Sequence, residues 1–515
     1  MSHLKKTHLI FYLACFVFFL QSIIHPVLVA PQCAQHMSAA WHIVDGLKFG
    51  VDFLDDASPL FLYLLSAFVF VANLIHVNPL LLFKLALIAL TVLSGRLCFA
   101  LLESKSLCYR LVERQMLNYL PLYMVLFLLF SLPQSGHGAQ LLVLGVTPYL
   151  VLKCARANPS TSIYSLANLE RSQLWQVVLY GALTVLADLQ FLAFYLLIDL
   201  AQRRFFLTFP LLFAVAFLPF VLLMGDTLNG YIDSVLPVLW LNFKYFNDYL
   251  YWMDKSPDLR RFVYLFVLSA TLAVPLLSRS ALARLLSALS CLGFTYFIVS
   301  VGMLSEFALP MLYFSIFSGF CGLMYFLFSS PWKIFRRRLL PRYTKILAAF
   351  FLVLACSSLK IKGSDLSIFS DTVISDSMPG DTVAFYNWQS RPAFPLTMQL
   401  ARRSSNMSCF YPFTALHHGD VEGSETDRAR LKSLGDRAFA IVEKEISGSK
   451  PPTLIFVEDG DLRQEMTERG LLTKIESRYS LIGAASFLNG EEQSRHEPFE
   501  YLGFRNGFAV FRLNN

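Results

Sequence analysis

The sequence predicts a polytopic α-helical membrane protein of about eleven transmembrane helices, followed by a soluble C-terminal α/β domain. Three observations predict it. Of 515 residues, 56% are hydrophobic and only 15% are charged, against about 25% charged in an ordinary soluble domain. The charges gather in short loops and after Lys360, leaving apolar runs close to the roughly 20 residues a spanning helix needs. Beyond Lys360 the pattern changes to short β-branched and aromatic runs punctuated by Pro and Gly.

The apolar runs lie at 8–29, 59–76, 79–102, 118–132, 139–153, 174–200, 205–224, 262–277, 284–303, 306–329 and 345–358. Those at 118–132 and 139–153 are short and also fit a partly inserted hairpin. The first run lacks a small-residue cleavage site and reads as a retained helix. Basic clusters set the sidedness: Lys5 and Lys6, Arg203 and Arg204, Arg279 and Arg284, then Lys333, Arg336, Arg337, Arg338, Arg342 and Lys345. Eleven crossings put all of them in the cytoplasm, with the N-terminus inside and residues 360–515 outside. The segments 103–117 and 153–173 break this rule, since their Lys and Arg residues land on the outer side. The chain thus divides into a membrane domain, 1–359, and an extracytoplasmic α/β domain, 360–515.

Two extramembrane segments are long. One is the outer loop 31–58; the other, 229–261, carries Tyr231, Trp240, Tyr245, Tyr249, Tyr251 and Trp252 and reads as a helix lying along the membrane surface. In the tail, Asp381-Thr-Val-Ala-Phe-Tyr386, Thr453-Leu-Ile-Phe-Val457 and Phe508-Ala-Val-Phe-Arg512 read as strands, and 428–446 as a helix. The net charge of +7 lies largely in juxtamembrane loops, so it marks topology and not a nucleic-acid partner. The nine cysteines show no metal-ligand spacing.

The most specific pattern is in the first outer loop: Ala40-Trp41-His42-Ile43-Val44-Asp45-Gly46, Asp52-Phe53-Leu54-Asp55, then Pro59-Leu60 and Tyr63-Leu64. Over about 30 residues it resembles the GT-C superfamily of membrane glycosyltransferases, nearest the bacterial protein-mannosyltransferase-like and lipid-A-modifying branches. Pro148-Tyr149-Leu150, Val235-Leu236-Pro237 and Ala393-Phe394-Pro395-Leu396 with Arg402 and Arg403 extend it loosely. The resemblance implies a bacterial inner membrane, a polyprenyl-phosphate-linked sugar donor, and a lipid or glycan acceptor on the outer face. It also implies an acidic residue about fourteen positions before the loop glycine, where this chain has Gln32-Cys33. Glutamine does not titrate, and a free thiol is no substitute for a carboxylate base near neutral pH.

The remaining carboxylates of the loop are Asp52, Asp55 and Asp56. A close acid cluster can act as general base or hold a divalent cation; it can equally cap and brace loop helices. His36 lies one helical turn after Gln32, where a neutral imidazole can take a proton. Lys105, Arg110, Arg114, Lys153 and Arg156 can hold the phosphate of a lipid-linked donor or meet lipid headgroups. Asp188 and Asp199 fall in the apolar run 174–200, where acids are costly unless they serve a purpose. Arg391, Arg402, Arg403, His417 and His418 can face an acceptor. The leading reading is a glycosyltransferase; the alternative is a catalytically degenerate relative acting as scaffold or lipid-linked-sugar binder. A transporter would show paired repeats and broken helices, and the sequence has neither.

Overall fold

The computed structural model describes residues 2–24, 29–55, 57–104, 107–109, 114, 117–130, 136–154, 156–157, 171–188, 191–202, 229–237, 240–241, 281–302, 308–329, 367–387, 393–407, 424–485 and 508–514. These are mostly helical. The chain falls into two compact units that alternate along the sequence. The first is Met1–Leu28, Phe83–Met224 and Leu250–Ile361; the second is Val29–Leu82, Gly225–Tyr249 and Lys362–Asn515.

The first unit packs apolar helices through small and polar residues. Ala281–Gly302 and Ala308–Ser329 form a hairpin in which Ser290 and Ser315 each donate to the other's carbonyl at 2.7 Å. Such bonds satisfy hydroxyls that an apolar setting would otherwise strand. Ser94 donates to the Leu144 carbonyl at 2.8 Å, and Tyr180 to that of Leu90 at 3.1 Å. Leu107–Cys108 pairs antiparallel with Arg156–Ala157, joining the two segments that break the charge rule.

The eleven-span expectation is overturned. Among the described residues two helices are long and apolar enough to cross a membrane, Thr7–Ile24 and Pro79–Glu103. The run at 118–132 becomes the 11-residue helix Leu120–Phe130, and that at 174–200 divides into Arg171–Ala187 and Leu192–Gln202. Gly138–Cys154 is a 17-residue helix with nearly every residue buried. The run at 59–76 is a 16-residue helix ended by Ile75, and Asn78 just beyond donates to the Met398 carbonyl of the tail at 3.2 Å. An apolar run of 10–17 residues suits a buried core helix as well as a membrane crossing, which hydropathy cannot distinguish. The runs 205–224, 262–277 and 345–358, most of the basic clusters and positions 242–261 lie outside the described residues.

The second unit joins the first loop to the tail. Helices α1 (Pro31–Val44) and α2 (Pro59–Leu74) both start on Pro, whose fixed φ suits a first turn and whose missing N–H costs nothing there. The Ser58 hydroxyl caps α2 by accepting from Phe61 N at 3.3 Å. In the tail, α3 (Ser367–Asp376) leads into a sheet of β1 (Thr382–Tyr386), β2 (Arg403–Ser404), β3 (Leu454–Glu458), β4 (Tyr479–Ala485) and β5 (Phe508–Leu513). Its order is β2-β1-β3-β5-β4, with β1 parallel to β2 and β3, and β5 antiparallel to β3 and β4.

Helix α4 (Ala393–Gln399) makes the β1-to-β2 crossover, and α5 (Glu425–Ser447), capped by Ser424, lies between β2 and β3 in the chain. Helices α6 (Asp461–Glu468) and α7 (Leu471–Arg478) follow β3. Strand β3 is buried throughout and β1 and β5 over most of their length, as strands covered on both faces must be. Phe385 and Phe456 stack at 4.2 Å between neighbouring strands. Leu54, from the first loop, belongs to the same apolar core as Ala438, Val442 and Val457 of the tail.

Candidate functional site

Helix α1 carries the site because its two sides do different work. Ala34, Met37 and Ala40 are fully buried packing residues, while Gln32, His36, Ser38 and His42 are buried polar ones that require partners. The helix ends at Asp45, and Gly46 turns the chain with φ of +86°. The loop then folds back, with Gly50 N donating to the Phe53 carbonyl at 2.8 Å, and drives the Phe53 ring into the interior.

This return brings Asp55 beneath α1. Its Oδ1 lies 2.7 Å from His36 Nδ1 and accepts from Ala57 N at 2.8 Å; Oδ2 accepts from Gln35 Nε2 at 3.3 Å. Both His36 and Asp55 are buried. A carboxylate only accepts, so His36 carries its proton on Nδ1 in this pair.

The second half of α1 rests on the tail strip that starts with β2. Ser38 and Ser404 share a hydroxyl–hydroxyl bond, and His42 Nε2 donates to the Ser405 carbonyl at 3.3 Å. Burial holds the His42 imidazole down to about 4, against an ordinary 6.5, so it is neutral at physiological pH. Arg403 donates to Asp45 at 2.6 Å, with its guanidinium 5.7 Å from the Trp41 ring centre. Partial burial raises the Asp45 carboxyl, and Arg403 opposes that rise.

Asp52 is occupied elsewhere. Lys444 Nζ donates to its Oδ1 at 2.7 Å and Lys48 N to its Oδ2 at 3.0 Å, and the bond from Lys444 holds the carboxyl below its usual range. Beyond the strip, Asn406 N donates to Glu445 Oε1 at 3.1 Å and Tyr386 hydroxyl to Oε2 at 3.4 Å. Burial raises the Glu445 carboxyl to about 8 from 4.5, despite both bonds.

Gln35, Ala39, His42, Phe53, Asp55 and Asn406 are among the residues lining a small cavity at this junction, about 20 Å³. That is room for one water-sized group, such as a hydroxyl. No family model matches the chain, and no curated protein matches it.

Of the loop candidates, His36 and Asp55 are brought together, whereas Asp52 pairs with Lys444 and Asp56 lies outside the described residues. No three His, Cys, Asp or Glu side chains gather to hold a metal ion among the described residues. Lys105 and Arg110 also lie outside, Arg114 is exposed, and Arg156 sits in its two-residue strand. Lys153 is buried in the first unit, 2.5 Å from Asp199, which also accepts from Tyr149 hydroxyl at 2.7 Å. That pairing accounts for both costly charges. Asp188 stands at the break after Arg171–Ala187, its carbonyl accepting from Phe191 N at 3.1 Å.

In the tail, Arg402 braces the chain before β1 by donating to the Ser377 carbonyl and hydroxyl at 2.7 and 3.1 Å. Arg391, His417 and His418 lie outside the described residues. The residues that sequence reasoning passed over are Ser404, Ser405, Asn406, Lys444 and Glu445. Only the neighbouring Arg402-Arg403 pair hinted at them.

Proposed function

We propose that the chain is a membrane-anchored glycosyltransferase whose His36–Asp55 pair activates an acceptor hydroxyl. The observation that carries this is the buried 2.7 Å contact between an imidazole and a carboxylate that lines a hydroxyl-sized cavity. The first-loop motif resembling GT-C enzymes supplies the substrate class, a polyprenyl-phosphate-linked sugar and a lipid or glycan acceptor. Two long apolar helices support the membrane attachment. The acceptor hydroxyl would give its proton to the pair as its oxygen bonds to the sugar's anomeric carbon. The bond from that carbon to the phosphate oxygen breaks, and polyprenyl phosphate leaves with the electron pair. Asp55, the carboxylate that lines the cavity, would take the proton, with His36 holding it in place.

A second reading is favoured by a specific observation. Gln32 is buried where the resemblance expects an acid, and Asp45 and Asp52 are both committed to ion pairs with the tail. On that reading the chain binds lipid-linked sugar without transferring it. The test is sugar transfer by the full chain in lipid nanodiscs, with polyprenyl-phosphate sugars as donors. Asp55→Asn keeps the shape and one acceptor oxygen but cannot take the proton, and should lower the rate about 10²–10⁴-fold. Full activity in both Asp55→Asn and His36→Gln would remove the proposed site. Donor binding without transfer, with transfer appearing in Gln32→Asp, would establish the second reading.

A further inference from the structure

The cavity between α1 and the strip that starts with β2 has a floor and a mouth of different character. Asp55, His42, Ser404 and Ser405 are among its buried lining residues. Of the described lining residues, only Gln35 and Asn406 are partly exposed, so two carboxamides frame the opening. Most of the polar lining is engaged within the protein. Gln35 Nε2 donates to Asp55 at 3.3 Å, and Ser404 bonds to the Ser38 hydroxyl. The Ser405 hydroxyl donates to the Met407 carbonyl at 2.9 Å, and His42 holds the Ser405 carbonyl. The Asn406 carboxamide makes no hydrogen bond among the described residues, yet its mounting is firm. Its backbone N donates to Glu445 Oε1 at 3.1 Å, and the fully buried Tyr386 reaches the other oxygen of that carboxyl through its hydroxyl at 3.4 Å. The fold thus fixes Asn406 at the mouth and leaves its amide unspent.

We infer that Asn406 recognises the acceptor, and that the acceptor is a neutral sugar presenting two adjacent hydroxyls, one to Asp55 and one to Asn406. A carboxamide donates through its N–H groups and accepts through its oxygen, so it matches a hydroxyl, which does both. It carries no charge, and no Lys or Arg is among the described lining residues. The cations near the junction are committed, Arg403 to Asp45 and Lys444 to Asp52, and His42 is neutral. A phosphate or carboxylate on the acceptor would therefore meet the Asp55 carboxylate with no lining cation to offset it, and a charge is costly to bury unpaired. Size points the same way. A cavity of about 20 Å³ takes one hydroxyl at its floor, so a second must stay at the mouth, where Asn406 stands. Neighbouring carbons of a sugar ring supply that second hydroxyl, and a simple long-chain alcohol has none to offer. The inference rests on this cavity being the acceptor site of the reaction proposed above.

Full-length protein in lipid nanodiscs tests it by saturation-transfer NMR with the methyl glycosides of glucose, mannose and galactose. At least one should bind, and Asn406→Ala should weaken that binding about 2–10-fold, the worth of one hydrogen bond. Asn406→Asp, which keeps the shape but loses both amide donors, should weaken it as well. Among monodeoxy analogues of the bound glycoside, the one lacking the hydroxyl at Asn406 should bind wild type weaker by the same factor and Asn406→Ala no weaker. The 6-phosphate of the same sugar should bind more weakly than the neutral form. Binding of none of the three glycosides, or binding that neither Asn406 variant alters, overturns the proposal. Asn406-dependent binding without any transfer from polyprenyl-phosphate sugars would leave the recognition standing and refute the reaction. Transfer to a long-chain alcohol, undiminished in Asn406→Ala, would do the reverse.

Discussion

His42 and Glu445 grip adjacent residues, Ser405 and Asn406, and their opposite protonation preferences give the second unit a predictable stability profile. Folded His42 sits at about 4 against 6.5. Between those values the unfolded chain holds a proton the folded one lacks, so its contribution is lost as pH falls below 6.5. Folded Glu445 sits at about 8 against 4.5. Between those values the folded form keeps a proton the unfolded chain has released, so stability falls as pH rises through 8. From pH 4.5 to 6.5 the two slopes cancel, and above 6.5 only the Glu445 slope remains. At about 1.4 kcal/mol per pH unit it removes roughly 2 kcal/mol by pH 8, or on the order of 4–8 °C in melting midpoint. Thermal melts of nanodisc-embedded protein should show a plateau and then this decline. Glu445→Gln should abolish the decline, and His42→Asn should start it near pH 4.5. A parallel decline in wild type and Glu445→Gln would refute the reasoning.

Four further outcomes follow from the packing. Phe53→Ala empties a fully buried site beside the His42 and Phe49 rings, and should cost about 3–5 kcal/mol in thermal or denaturant melts. Gly50→Ala meets a φ of +77° and the Gly230 backbone at once, and should cost more than about 1 kcal/mol, read as faster proteolysis of 45–58. The Asp52–Lys444 pair is largely solvated, so a double-mutant cycle should return a coupling of about 0.2–1 kcal/mol. Lys153→Met strands Asp199 in the interior and should cost about 3–5 kcal/mol, with Asp199→Leu in the same chain restoring most of it.

Local pattern carried much of the tail and little of the tertiary arrangement. Strands β1, β3 and β5 and helix α5 fall on the β-branched runs and helical spacing that foretell them, because propensity and burial agree there. The stop of helix α1 is legible in Gly46, which takes the positive φ after the last turn, whereas its start at Pro31 carries no side-chain cap. Span count was not legible. Leu120–Phe130 is buried along most of its length and Pro59–Leu74 over its first turns, and burial leaves the same trace in composition as lipid. The His36–Asp55 pair was half legible: both residues stood out, but the turn that closes 19 positions onto one contact depends on Gly46 and Gly50 acting together. The Lys153–Asp199 pair was missed because each residue was weighed alone, Lys153 as a contact for phosphate or headgroups and Asp199 as a costly acid in an apolar run.

What escaped sequence reasoning most completely is that the first loop is a structural part of the tail. His42 reaches Ser405 across 363 positions and Lys444 reaches Asp52 across 392, and no local pattern encodes either contact. The energetic reason for the union is visible in Leu54. It completes a core shared with α5 and the sheet, and a leucine there is worth about 1.5–3 kcal/mol of transfer free energy. The ion pairs around it are too solvated to supply as much; their use is orientation. Arg403 and Lys444 draw Asp45 and Asp52 outward toward the tail, at either end of the returning loop. Asp55 turns inward to His36. Of the loop's four acids, the three described ones are thereby sorted so that one carboxylate faces the cavity with an imidazole at its back.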